Sequence, residues 1–373
     1  MEILTHEIGS LAKPSWRVKP FRNIPLSEQD LQEAVNWAKK LQITHEVEEL
    51  IEILKKNLNK IVSSQEEKHK IIYYSSLYAT RLLENVGLDL VYDGEQHRSE
   101  MYEYPIKNIQ GFEFKGHVRS FDNKYYKKAS IISKPKLIKP YHTQETRVIK
   151  SFARKKLKIP ITGPYTLVDW SFDEYYYKFN LLELQEKKYR EQFLKDMSGI
   201  IRMNIEEIIQ NGADFIQIDE PAATTKKDEV ELFVNTIVDT VKGLESKANF
   251  SIHICFSNYE LLFPTISKLD GIVKEIHFEY ANRDSWKLGK KNRKGYKILN
   301  YFKNTNFIVG LGVIDVHTDR IESIDLIRER VLYALDVVGP RVYVSPDCGL
   351  RTRSWEIAYQ KLHNMVQAVK SIF

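Results

Sequence analysis

The sequence predicts an α/β fold, a single (βα)8 or TIM barrel, and three observations carry that prediction. Eight short apolar or β-branched runs recur along the chain, each stopped by Gly, Pro or a polar residue. Between them lie long segments with apolar residues three and four apart, the helical period. From the fourth run onward the starts fall about 25–35 residues apart, the length of one strand–helix unit.

In order, the runs are Ile3–Ile8, Leu88–Tyr92, Ile159–Thr162, Phe215–Ile218, Phe250–Cys255, Val273–Phe278, Phe307–Leu311 and Val342–Val344. An N-terminal helical extension is expected over Ser27–Asn59, where Leu31, Ala34, Val35, Ala38 and Leu41 share a face, then Val47, Leu50, Ile51, Leu54 and Leu58. Further helices are expected over Gln65–Asn85, Asp173–Gln210, Lys227–Leu244, Arg320–Val337 and Thr352–Lys370. Gly111–Lys139 alternates like a β-hairpin, so an insertion over about residues 100–158 is expected after strand two. The competing doubly wound sheet needs a Gly-rich phosphate turn. No GxGxxG follows the first run, and no GxxxxGK[ST] occurs. Without an internal repeat or a linker, residues 1–373 read as one domain.

Composition narrows the function classes. The 373 residues include 43% apolar ones, enough for a real core, and Gly 16 with Pro 12 excludes collagenous and low-complexity chains. No apolar run approaches the ~20 residues that span a bilayer. Met1–Glu7 lacks a basic and apolar export signal, so a cytoplasmic location is expected. The net charge of +6 is uneven. Lys115–Lys158 holds fourteen Lys and Arg against Asp122 and Glu145, and Lys287–Lys297 holds six with no acid. Such runs are either solvated loops or the rim of a site for an anionic ligand.

In this barrel class the active site lies at the C-terminal ends of the strands. There the chain places Glu7-Ile8-Gly9-Ser10, Asp93-Gly94-Glu95, Thr162-Gly163-Pro164, Asp219-Glu220-Pro221, His253-Ile254-Cys255, Glu279, Asp315-Val316-His317 and Pro346-Asp347-Cys348-Gly349. Acids, histidines and both cysteines gather at one edge. His253 and Cys255, two apart on a strand, point the same way. With Cys348 and Glu279 they offer N, S, S and O donors, a set suited to tetrahedral zinc. From spacing alone, inert core thiols and a redox pair stay open beside the metal reading.

The motifs Ile8-Gly9-Ser10, Asp93-Gly94-Glu95, Gly163-Pro164 with Trp170-Ser171-Phe172, Ile218-Asp219-Glu220-Pro221-Ala222, His253-Ile254-Cys255, Glu279 and Pro346-Asp347-Cys348-Gly349-Leu350 occur together and in order. On these residues the chain resembles the catalytic, C-terminal half of the cobalamin-independent methionine synthases, as a stand-alone core enzyme of the archaeal type. The resemblance runs from about Leu4 to the C-terminus.

It implies one zinc ion per chain, held by His253, Cys255, Glu279 and Cys348. It implies that Glu95 and Asp219 hold the amino group of homocysteine while Ile8, Gly9 and Ser10 meet its carboxylate. Trp170 and Lys124 would lie against the methyl donor, and His317, oriented by Asp315, would protonate the leaving group. The implied reaction is methyl transfer to the homocysteine thiol, forming methionine.

The chain departs from the family in two places. Full-length synthases carry a second, related barrel, and the family's Arg- and Pro-rich stretch in the insertion reads Asn123-Lys124-Tyr125-Tyr126-Lys127-Lys128-Ala129 here. The donor is therefore either a methylated pterin or folate, or a corrinoid such as methylcobalamin. A corrinoid protein, or a separately encoded N-terminal-like half, is an expected partner. The chain has no corrinoid motif DxHxxG, because Arg320 stands where the glycine belongs. Rival readings are a zinc thiol alkyltransferase acting on coenzyme M, and a zinc-stabilised anion-binding module. Glu95 and Asp219 favour an amino-acid thiol. No nucleic-acid or membrane partner is expected, since the basic residues lack the interleaved stacking aromatics of single-strand binders.

Overall fold

The computed structural model of the chain describes residues 3–119, 125–177 and 186–372. Its strands are β1 (Leu90–Val91), β2 (Ile109–Arg119), β3 (Tyr125–Leu137), β4 (Lys156–Thr162), β5 (Phe172–Asp173), β6 (Phe215–Asp219), β7 (Asn249–Ile254), β8 (Glu275–Phe278), β9 (Ile308–Gly312) and β10 (Val342–Ser345). Seven of them form one curled sheet in the order β1-β4-β6-β7-β8-β9-β10, with every neighbouring pair parallel. Along β6, β7 and β8 apolar residues alternate with buried polar ones, Gln217, Ser251, His253, Glu275 and His277, which share the opposite face of the sheet. Ile216, Ile218, Ile252, Ile254, Val309, Leu311 and Val344 are all buried.

The run expected as a first strand, Ile3–Ile8, makes isolated parallel bridges instead: Thr5 to Val344 of β10 and His6 to Leu90 of β1. A carboxylate intervenes in its ladder. Asp89 accepts from the Thr5 N–H at 2.8 Å and from its hydroxyl at 2.7 Å. The segment thus lies between the two edge strands and brings Glu7–Ser10 to the same end of the sheet as the other strand tips.

Helices Gln65–Val86, Glu186–Gln210, Val230–Val241, Ile324–Val338 and Trp355–Lys370 cover the outside. Ser64, Ser323 and Ser354 cap three of them by accepting from N–H groups of the first turn. Their inward stripes bury Ile205, Phe233, Ala334 and Leu362, each larger side chain contributing about 1.5–3 kcal/mol of transfer free energy.

The expected helix over Ser27–Asn59 is two helices, Glu28–Lys40 and Glu48–Lys56, joined through a 3-10 turn, Thr44–Val47. The break falls at Gln42, whose φ of 59° no helix accommodates. The units after β7 and β8 depart as well. They carry 3-10 turns, Tyr259–Leu262, Thr265–Leu269 and Lys294–Phe302, in place of α-helices, since Pro264, Gly289 and Gly295 interrupt any helical period.

The expected hairpin is present: β2 and β3 pair antiparallel, and β5 adds to β3 at Ser130 and Ile131. Among the described residues, no helix is long and apolar enough to cross a membrane.

The sheet's interior is polar near the site. Lys158, counted above in a basic run, is buried and donates to the Glu7 carbonyl and to Gln217 Oε1 at 2.7 Å. Gln217 Nε2 in turn donates to the Ile8 carbonyl at 2.6 Å and to Asp219 Oδ1 at 2.7 Å. The second basic run is also partly structural, because Arg293 is buried in an ion pair with Asp284 at 3.0 Å.

Candidate metal centre and its surroundings

Three donors meet at the C-terminal ends of the strands. His253 occupies β7, Cys255 follows its last residue, and Cys348 lies three residues past β10. One ligand atom from each lies within 4.8 Å of the other two. Cys348 Sγ stands 3.5 Å from His253 Nε2. Burial drives His253 down to about 3, so its ring is neutral and able to offer a lone pair. A hydrogen bond with the Cys255 thiol, together with burial, pushes the Cys348 thiol well up. Both cysteines are free of disulfides.

Glu279 is buried beside this trio, outside the 4.8 Å cluster. Its Oε2 accepts from the Phe256 N–H and from Asn282 Nδ2, each at 3.1 Å, whereas Oε1 is buried without a hydrogen-bond partner. Phe256 takes a φ of 51°, which turns its N–H toward Glu279 and ties the loop bearing Cys255 to the loop bearing Glu279. Asp347 fastens the same loop, its carboxylate accepting from the N–H groups of Tyr280 and Ala281 at 2.9 Å and of Asn282 at 2.7 Å. An N, S, S donor set with an unsatisfied buried carboxylate oxygen alongside fits zinc.

A second group surrounds the mouth. Asp219 ends β6, and its carboxyl is pushed up to about 8 by burial, with Glu95 alongside adding to the rise. Glu7, fully buried, is raised to about 8 in the same way, opposed by Lys158. Glu95 adopts a φ of 61° directly after Gly94, and Arg98 Nη1 lies 3.8 Å from its carboxylate. A Cβ at Gly9 would stand 3.0 Å from Glu95 Oε1, and one at Gly349 would stand 2.4 Å from Ser10 Oγ. The Ile8–Ser10 turn therefore packs directly between Glu95 and the loop of Cys348.

The remaining residues singled out from the sequence lie as follows. His317 is exposed; its ring centroid is 5.1 Å from that of Phe256, and it is close enough to Glu279 to stabilise that carboxylate. Asp315 accepts at 2.9 Å from the backbone N–H of His317, so it shapes the loop through the main chain. Trp170 follows helix Pro164–Asp169, half-buried, 6.4 Å from the Tyr102 ring. Lys124 lies outside the described residues. Glu220, beside Asp219, is a helix cap: it accepts from the N–H groups of Tyr165 and Thr166 at 3.1 and 2.7 Å, and a Cβ at Gly163 would collide with it.

His277 carries no motif and escapes an inspection confined to strand ends. It pairs in register with His253 across β7 and β8, and the two Nδ1 atoms are 2.7 Å apart. The alternation Glu275-Ile276-His277-Phe278-Glu279 is its one signal, since every second residue of a strand faces the same side.

Comparison with known proteins gives the family. Residues 45–371 match the family model described as cobalamin-independent synthase, catalytic domain. A protein named methionine synthase from Thermoplasma acidophilum is 36% identical over 384 residues, covering 99% of this chain and 98% of that protein. Another of that name from Thermoplasma volcanium is 38% identical, covering 86% and 94%. Among solved structures, a B12-independent methionine synthase from Shewanella sp. W3-18-1 in complex with selenomethionine aligns with a TM-score of 0.75 at 21% identity, covering 100% of this chain and 98% of that one.

Proposed function

The chain belongs to the cobalamin-independent synthase family, and we propose that it transfers a methyl group to the thiol of L-homocysteine to form methionine, using one zinc ion. The observation that carries this reading is the convergence of His253, Cys255 and Cys348 within 4.8 Å at the strand ends, with the unpartnered Oε1 of Glu279 beside them. These four residues would hold the ion. A bound zinc ion would favour the thiolate of a substrate whose free thiol, with a pKa near ~8.5, is mostly protonated at neutral pH.

The chain's own residues do the rest. Glu95 and Asp219 take the substrate ammonium in charge-assisted hydrogen bonds, and the arriving cation draws Asp219 back to its ionised form. The Ile8–Ser10 turn receives the carboxylate through its backbone and the Ser10 hydroxyl. These contacts fix the sulfur toward the metal ligands, so that the methyl group is met in line. With zinc bound, Glu279, the weakest donor of the four, would be the one to yield to the substrate sulfur. The S–CH3 bond forms as the donor's bond to the methyl group breaks and its electron pair stays with the donor; where that donor is a pterin or folate, His317 delivers a proton to the departing nitrogen, with Asp315 holding its loop. Trp170 would pack against the donor, which is a methylated pterin or folate, or a corrinoid. A corrinoid protein or a separately encoded second barrel would present it.

X-ray absorption at the zinc edge tests the reading. Adding homocysteine to the zinc-loaded protein should raise the sulfur neighbours of the metal by one at the expense of an oxygen. An unchanged coordination shell at saturating homocysteine would contradict it.

A further inference from the structure

His277 stands between a ligand of the candidate metal centre and the backbone of the loop that carries another. Its Nε2 is 3.1 Å from the Pro346 carbonyl and its Nδ1 is 2.7 Å from His253 Nδ1. It is buried, at 1% exposure, and is packed so closely on β9 that a Cβ at Gly310 would stand 2.7 Å from its own Cβ. The ring therefore has little freedom to turn.

The protons on these two rings follow from the partners. A carbonyl oxygen only accepts, so the hydrogen bond to Pro346 requires a proton on His277 Nε2. A neutral imidazole protonated there has a lone pair on Nδ1. Two lone pairs 2.7 Å apart would repel, so His253 must carry its own proton on Nδ1 and donate it to His277. His253 Nε2 is then bare, and it is the atom that faces Cys348 Sγ at 3.5 Å. A metal-binding histidine generally has its other ring nitrogen bonded to a partner that sets tautomer and orientation; here that partner is a second histidine, anchored two residues before Cys348.

We propose that His277 is a positioning residue that fixes His253 as the Nδ1–H tautomer, leaving Nε2 free to bind the metal ion. The inference rests on the zinc reading above and adds the group that prepares one of its ligands before any metal arrives.

The test compares wild type with His277→Leu, which removes the acceptor, and His277→Asn, whose side-chain oxygen occupies nearly the place of Nδ1. Nitrogen-15 NMR of the metal-free protein should report His253 protonated at Nδ1 in wild type and in H277N, and a mixture of tautomers in H277L. Chelator competition should give zinc affinity about 10–100-fold weaker in H277L, recovered for the most part in H277N, with circular dichroism verifying that each variant is folded. A single unchanged His253 tautomer in folded H277L, or zinc affinity within twofold of wild type, overturns the inference while leaving the zinc reading intact. If H277L does not fold, H277N decides: a His253 protonated at Nε2 there overturns it. Failure of the wild type to take up zinc overturns both.

Discussion

Cys348 Sγ lies 3.5 Å from His253 Nε2 although the two residues are 95 positions apart. Only the parallel order of β7, β8, β9 and β10 brings them to one mouth. The strands form for reasons of burial, and their ends inherit the chemistry, because the last inward residue of each strand is where the apolar layers stop and polar atoms meet solvent.

Removing one sulfur should remove the metal. Cys348→Ser is expected to lose zinc by more than about a hundredfold in affinity, beyond the cost of losing an outer partner. The far-ultraviolet dichroism should be unchanged, since the residue sits at the partly exposed mouth. Metal analysis after gel filtration checks both points against an expected one zinc per wild-type chain.

Asp219→Asn should separate stability from binding. The folded carboxyl holds its proton up to about 8, against 3.8 ordinarily. Its contribution to stability is therefore fully present below about pH 4 and is lost as the pH rises through 8. The variant cannot ionise, so relative to wild type it should gain stability between pH 4 and pH 8, measured as urea midpoints across that range. Homocysteine affinity should fall about 10–100-fold, the worth of a hydrogen bond to a charged group.

Glu145→Gln should weaken the fold behind Glu95. Arg98 is buried against the Glu145 carboxylate at 2.9 Å, and His142 and Tyr92 also bond to that carboxylate, at 2.6 and 2.9 Å. Burial alone would raise Glu145, but Arg98 and His142 hold it well below the usual range. Leaving Arg98 without its partner charge should cost about 3–5 kcal/mol in denaturant unfolding.

With a methylated pterin or folate as donor, His317→Gln should slow turnover about 10²–10⁴-fold, the usual worth of a general acid. Zinc content and homocysteine affinity should stay within twofold, because the ring is exposed beyond the ligand cluster. Loss of zinc in this variant would assign His317 to the metal instead.

Much of this arrangement was legible in the sequence. The runs at 215–218, 250–255 and 342–344 mark strands because they are short and rich in β-branched and aromatic residues, and the acids and cysteines lie where such runs stop. What escaped has physical reasons. Asp89 takes the ladder position at Thr5 with a side chain, which no periodicity reveals. The helix expected across Gln42 breaks on a single positive φ, although its apolar stripe continues into the next helix. Glu220 resembles a site acid and is a helix cap, because its partners are backbone N–H groups of a helix 55 residues away. His277 lies inside a strand, and its role depends on the register that sets it beside His253.

The most direct test of the account is methionine formation from homocysteine by the zinc-loaded protein, with methylcobalamin, methyltetrahydrofolate and methylated archaeal pterins offered in turn. The account predicts methionine from at least one donor, lost on chelation and restored by zinc. No methionine from any of them, by a folded protein carrying one zinc per chain, would contradict it.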